Sequence, residues 1–251
     1  MNLQLAAIFM GILLCFGAQG AEALSKNTAS CTLEPVASFL EGATNTEYWQ
    51  TDFENKTLDN WSYLLNPQGI SIVPINETET EHAAKITIKG TEDFLWKGLD
   101  FLNRSEMQFK PAQVQAGQQT QLSWKFMVPE LFSDKRHEIA YWESDTSYKQ
   151  IMRFNLEGER FYFSDSKGTN KVDLVSVSKN TWYHVEMAIT WSPLATLGRV
   201  SVCVDGTQYV SNIPIATLVE DESVFFQIGI LRDRTDIVES ILIDDVKIAV
   251  K

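Results

Sequence analysis

Histidine is rare in this chain of 251 residues: only His82, His137 and His184 occur. Cysteine is as rare, with Cys15, Cys31 and Cys203; the two beyond the N-terminal segment are too few for a zinc-ribbon type site. Basic residues are outnumbered, 21 Lys and Arg against 33 Asp and Glu, for a net charge of −12. That balance disfavours nucleic acid and anionic membranes, whose phosphates are bound mainly through Lys and Arg. It also disfavours a strongly anionic polymer, unless a local basic groove outweighs the global field. No long apolar run follows residue 20, so the mature chain is expected to be soluble and free of the membrane. There is no G-x-S-x-G, no H-E-x-x-H, no P-loop and no dinucleotide fingerprint, so none of the chemistries those motifs serve is signalled.

Residues 1–20, MNLQLAAIFMGILLCFGAQG, form one apolar run that ends in small residues. The run is short for a membrane span and polar chain follows it. It reads as a cleaved secretory signal, with Ala18-Gln19-Gly20 or Ala21-Glu22-Ala23 at the cleavage site. It lacks the usual Lys or Arg near its start. Cys15 hints at a lipid anchor, but Leu14 stands before it where a small residue is wanted. A secreted destination, extracellular or periplasmic, follows. In an oxidising compartment Cys31 and Cys203 either form one disulfide, tying an N-terminal tail to a C-terminal strand, or stay as two thiols. Four Asn-x-Ser/Thr sequons, at Asn55, Asn60, Asn76 and Asn103, become glycosylation sites in a eukaryotic host.

Residues 21–46 are rich in Ala, Ser, Thr and Glu with little strand pattern, and are expected to be a tail with one helical stretch over 36–43. Beyond them, KITIKG (85–90), QLSWKFMVP (121–129), IMRFNLEGERFYF (151–163), TWYHVEMAITW (181–191), GRVSVCVDG (198–206) and ILIDDVKIAV (241–250) alternate with period two. They are enriched in β-branched and aromatic residues, so each reads as a strand. Many short strands in one domain imply an all-β sandwich or jelly roll. In RFNLEGERFYF a two-residue turn at Glu157-Gly158 would pair Asn155 with Arg160 and Phe154 with Phe161. Alternation then puts Met152, Phe154, Phe161 and Phe163 toward the core, and Arg153, Asn155, Arg160 and Tyr162 on the other face. That second face suits a sugar surface, and equally suits an ordinary solvated sheet.

Taken in order, several segments resemble the heparin-lyase-like family of polysaccharide lyases. WQTDFENKTLDNW (49–61) is similar to the family's opening FE…W strand, HAAKITIKG (82–90) to its next strand, and NRSEMQF (103–109) to an Arg-x-Glu strand. LSWKFMVPELF (122–132) resembles a strand closed by a proline and an aromatic, and residues 180–206 resemble a W…W-S…G-x-V-x-V-x-x-(D/N)-G block. FFQIGILR (225–232) and ILIDDVKI (241–248) look like the closing strands. Trp…Asp-Gly blocks occur in laminin-G-like domains too, so the ordered set carries the resemblance. It implies a jelly-roll β-sandwich of two antiparallel sheets, concanavalin A-like, over residues 47–251, and a polysaccharide as partner.

The same resemblance implies β-elimination: one group neutralises a uronate carboxylate, a base takes the C5 proton, an acid protonates the leaving oxygen. Arg104 and Glu106 match the Arg-x-Glu strand. Where the family has Gln-x-His this chain has Tyr141-Trp142-Glu143, and where it has Lys-x-Gly-x-Tyr this chain has Gln227-Ile228-Gly229-Ile230-Leu231. The expected His, Lys and Tyr are therefore replaced. A rearranged lyase would run on Tyr141, Tyr162 and Arg104, with Arg153, Asn155, Arg160, Glu106, Glu143 and Gln227 holding the sugar. A Tyr used as base needs a cation nearby, such as Arg104 or Arg153, to bring its pKa down from about 10. Glu106 and Glu143 as a hydrolytic carboxylate pair is an alternative. So are a lectin-like binding protein that has lost the chemistry and a laminin-G-like interaction domain. No cofactor is implied beyond a structural Ca²⁺ near Asp244, Asp245 and Glu54.

Overall fold

The computed structural model describes residues 29–251 except Asn45, Lys97, Gly98 and Gln113. The expected signal segment, its cleavage sites and Cys15 lie outside the described residues. The strands are β1 (Ala29–Ser30), β2 (Glu47–Thr51), β3 (Tyr63–Leu65), β4 (Ile70–Pro74), β5 (His82–Ile88), β6 (Leu95–Trp96), β7 (Leu99–Phe109), β8 (Gln119–Met127) and β9 (His137–Ser144). They continue as β10 (Gln150–Glu157), β11 (Arg160–Asp165), β12 (Val172–Ser176), β13 (Tyr183–Thr190), β14 (Arg199–Val204), β15 (Thr207–Pro214), β16 (Val224–Asp233) and β17 (Glu239–Val250).

One sheet runs β1-β15-β14-β13-β8-β17-β5-β4, with β2 also on β17. The other runs β12-β11-β10-β9-β16-β7-β3, with β6 on β7. The register is antiparallel throughout, as in the central pairs β8 with β13 and β7 with β16. The expected jelly-roll sandwich is what forms. Alternation supplies its core: Trp124 and Phe126 from the first sheet meet Phe154 and Phe161 from the second. The Trp124 and Phe154 rings lie 5.9 Å apart, and Phe126 and Phe161 4.9 Å. Each such fully buried side chain contributes roughly 1.5–3 kcal/mol.

Three local features depart from simple alternation. The β10–β11 turn is centred on Gly158-Glu159, so Arg160 pairs with Glu157 rather than with Asn155. Gly158 takes a φ of 57°, which glycine adopts without strain. The slip is of two residues, so Met152, Phe154, Phe161 and Phe163 stay in the core. In β9 both Ile139 and Ala140 face the core. This irregularity turns Glu138 outward beside Tyr141 and sends His137 inward. There His137 Nε2 lies 2.6 Å from Glu239 Oε2, and Nδ1 lies 3.2 Å from the Leu156 carbonyl. In β17 the Asp244-Asp245 pair is a bulge, with Asp245 at φ 50° and its N–H donating to Asp244 Oδ1. There the strand exchanges partner β5 for β2.

The segment expected as a tail is anchored at residues 29–31. β1 pairs with β15, and Cys31 is bonded to Cys203 across 172 positions with Cα atoms 5.8 Å apart. The helix is a single turn, Val36–Phe39, and the Lys251 ammonium donates to the Phe39 carbonyl at 2.9 Å. Of the sequons, Asn103 is fully buried in β7, whereas Asn55 and Asn60 are exposed and Asn76 half-exposed.

Candidate functional site

The side chains of interest stand on the second sheet's outer face, away from the sandwich core. Tyr141, Tyr162 and Phe225 are buried there but are not members of the core cluster. Register sets out one transverse row on this face. Tyr63 faces Gln108, Gln108 faces Gln227, and Gln227 faces Tyr141. Tyr141 then faces Arg153, and Arg153 faces Ser164.

At the centre of the sheet four predicted residues lock together. Arg104 Nε donates to Glu106 Oε2 at 2.6 Å. Its Nη2 donates to the Tyr141 hydroxyl at 2.7 Å and to Gln227 Oε1 at 3.2 Å. The Tyr141 hydroxyl donates to the same Gln227 oxygen at 2.8 Å. The Trp96 ring lies over the guanidinium at 4.6 Å from its centroid. Gly229 makes the close approach of β16 to β7 possible: at φ 153° a Cβ there would fall 2.3 Å from the Ser105 carbonyl oxygen and 2.7 Å from Glu106 Cα.

Burial opposes the Arg104 charge, but Glu106 and Tyr141 hold the guanidinium firmly protonated. Burial lifts the fully enclosed Glu106 carboxyl, against the pull of Arg104. Tyr141 is driven well above the ordinary phenol value by burial and then by Glu106, with Arg104 pulling the other way and losing. The cation that a tyrosine base would need is present, and a phenolate is still disfavoured. Glu143 differs from its neighbours. It is half-buried, forms no hydrogen bond or ion pair with any described residue, and burial pushes its carboxyl up to about 7.

Two donors complete the picture. Among the described residues Arg104 Nη1 and Gln227 Nε2 have no protein partner, although every other polar group of the two side chains is engaged. Both residues are largely buried, and Arg104 is within electrostatic range of the unpaired Glu143 carboxyl; the two donors are ones a carboxylate or a pair of hydroxyls would satisfy.

The remaining predicted residues do not join this group. Arg153 neighbours Tyr141 on the sheet, but its guanidinium serves Glu138 Oε1 at 3.2 Å, Gln150 Oε1 at 2.8 Å and Ser164 Oγ at 3.2 Å. Asn155 is buried and donates to Ser164 Oγ. Tyr162 donates to Glu157 Oε1 at 2.5 Å, its ring lies under Arg160 and Lys171, and burial raises its pKa. Arg160 is held by Asp173. Tyr162 as catalytic partner of Tyr141 therefore has no geometric basis. Glu106, with no solvent exposure and its charge spent on Arg104, cannot serve with Glu143 as a hydrolytic pair. Near the suggested calcium position Asp245 is paired with Lys125 at 2.6 Å and Glu54 with His82 at 3.2 Å. No group of three or more His, Cys, Asp or Glu side chains converges for a metal among the described residues.

Sequence reasoning passed over Trp96, Glu138 and Gln150. Arg153, a cation expected on a half-covered face, signalled that a carboxylate was needed nearby, and Glu138 answers it.

The sequence pattern of a family described as Polysaccharide lyase matches residues 40–247. No curated protein matches the chain in sequence. Among solved structures, the endo-β-1,4-glucuronan lyase of the fungus Trichoderma reesei superposes with a TM-score of 0.63 at 18% identity, over 80% of this chain and 94% of that one. Alginate lyase AlgAT5, from polysaccharide lyase family 7, gives 0.55 at 13% identity over 81% and 94%. The catalytic domain of a glycoside hydrolase family 131 protein from Coprinopsis cinerea gives 0.56 at 16% identity over 80% and 92%. At such identities the likeness establishes the fold, which serves both lyases and a hydrolase.

Proposed function

The chain belongs to the polysaccharide lyase family, and from that premise we propose that it binds a uronic-acid-containing polysaccharide on the second sheet's outer face. The observation that carries this is the pair of unpartnered donors, Arg104 Nη1 and Gln227 Nε2, beside the unpaired Glu143 carboxyl. A uronate carboxylate fits the two donors. Glu143, protonated below about pH 7, offers it a third hydrogen bond. Arg104 is neutralised by Glu106, so the site holds a carboxylate by directed hydrogen bonds rather than by surplus charge. This agrees with a net charge of −12 and favours a uronan over a heavily sulfated chain such as heparin. Structural neighbours described as glucuronan and alginate lyases support the same class of ligand. The Cys31–Cys203 disulfide supports a secreted protein.

Glu143 also favours a second reading, β-elimination. A carboxyl titrating near neutrality and free of partners is suited to accept the C5 proton. The C5–H electrons would form the C4–C5 double bond, the C4–O bond would break, and the leaving oxygen would take a proton from water, since Tyr141 holds its own. Titration calorimetry with glucuronan, alginate and a neutral glucan tests binding, and ultraviolet absorbance of the unsaturated uronate tests cleavage. Binding to a uronan and not to the glucan is expected. Failure to bind any uronan would overturn the proposal.

A further inference from the structure

The transverse row that crosses the candidate site ends, on one side, at a tyrosine whose side chain has no partner among the described residues. Tyr63 lies on β3, the last strand of the second sheet, directly opposite Gln108. Parity with Gln108 and Gln227 places it on the outer face. The other two residues of its three-residue strand are wholly or partly buried, but Tyr63 is 55% exposed. It makes no hydrogen bond, ring contact or cation contact with any described residue. Tyr162, at the opposite side of the sheet, has its ring under Arg160 and Lys171 and its hydroxyl on Glu157, so it is not available in the same way.

Resting on the uronan-binding reading above, we infer that Tyr63 is the stacking platform for a second, outer sugar of the bound chain, and that the polymer runs across the strands along the row Tyr63, Gln108, Gln227, Tyr141. Adjacent strands lie about 4.8 Å apart, so Tyr63 stands two strands, roughly 10 Å, from Gln227. A single sugar held at Arg104 and Gln227 does not span that gap, and the next rings along the chain do. Between them Gln108, half-buried and without a side-chain partner among the described residues, offers an amide to ring hydroxyls. Tyr63 presents what the C–H face of a pyranose packs against: a rigid apolar ring with a polar tip, costing little side-chain entropy when it is covered. Its position on an edge strand at the rim of the polar floor sets the end of the bound segment.

The test is a length series of uronate oligosaccharides titrated into the whole protein and into Tyr63→Ala, Tyr63→Phe and the double variant Arg104→Gln/Glu106→Gln. Tyr63→Ala is expected to weaken the long oligosaccharides about tenfold, near 1.4 kcal/mol, and to leave the disaccharide unchanged. Tyr63→Phe is expected to keep parental affinity. Because Tyr63 is exposed and makes no side-chain hydrogen bond or ring contact with any described residue, the variants should fold as the parent does, with the same melting temperature as the check. Equal affinity of Tyr63→Ala and parent for the longest chain would overturn the platform. In that case, loss of binding in the Arg104→Gln/Glu106→Gln protein would show that the central site survives without it. If the parent binds no uronate oligosaccharide at all, the underlying reading falls and the platform with it.

Discussion

Replacing Glu143 by Gln should make the protein more stable, and only at neutral to alkaline pH. The Glu143 carboxyl is raised from 4.5 to about 7, chiefly by burial, with Glu106 and Glu138 adding repulsion against the attraction of Arg104. An acid raised in the folded state keeps its proton where the unfolded chain has already lost it. Stability therefore falls as pH climbs through the window from 4.5 to about 7 and levels off above it. At about 1.4 kcal/mol per tenfold change, the full cost is roughly 3 kcal/mol. The carboxyl keeps part of its hydration, so a realised cost of about 1–3 kcal/mol is expected. Glu143→Gln keeps the shape and removes the ionisation. Urea melts of parent and variant at a series of pH values should give equal midpoints near pH 4 and a more stable variant near pH 8, each value approximate. A difference that does not change with pH would show that the Glu143 pKa is not raised by folding, and a parent more stable at alkaline pH would show it ionised against a cation; either would refute the account of the site as holding an unpaired, near-neutral acid.

Gly229→Ala should lower stability by about 2–4 kcal/mol, because the added methyl meets backbone atoms of Ser105 and Glu106 at a positive φ; a thermal melt checks it. Glu239→Ala should cost about 3–5 kcal/mol by stranding the buried Arg232 and His137. In the parent, burial works against the Glu239 charge, but His137 and the Ser133 N–H hold its pKa down to about 2. It thus stabilises the fold above its ordinary value of 4.5 and loses that contribution as pH falls toward 2. The variant should lose this acid dependence, as melts at acid pH would show. Expressed through a glycosylating secretory pathway, the chain should carry glycan at Asn55, Asn60 or Asn76 and never at the buried Asn103; peptide mapping after deglycosylation counts the sites.

Alternation makes the core legible in the sequence. Phe154, Phe161 and Phe163 were assigned their face correctly even though the turn is shifted, because an even slip preserves parity. Parity failed where a strand is irregular. Nothing in EIAYWES marks Ile139 and Ala140 as both inward, so the outward turn of Glu138 and the inward turn of His137 were hidden. Arg104, Tyr141 and Gln227 meet because β7, β16 and β9 are adjacent, a neighbour relation that no single strand's pattern reveals. Tyr162 was grouped with them on face alone, and face carries no information on distance across the sheet. Asp244-Asp245 looked like ligand chemistry and is a bulge, since short acidic side chains cap local backbone as readily as they bind metal. The Cys31–Cys203 bond depended on docking of a segment whose composition gave no strand pattern.

The account stands on Arg104 and Gln227 offering free donors to a uronate. The most direct measurement is the affinity of a uronan oligosaccharide for the parent and for Arg104→Gln/Glu106→Gln, which removes the guanidinium without leaving a buried charge unpaired. The parent should bind and the double variant, still folded, should lose at least about tenfold in affinity. Equal affinity in the two proteins, or no binding by the parent, would contradict it.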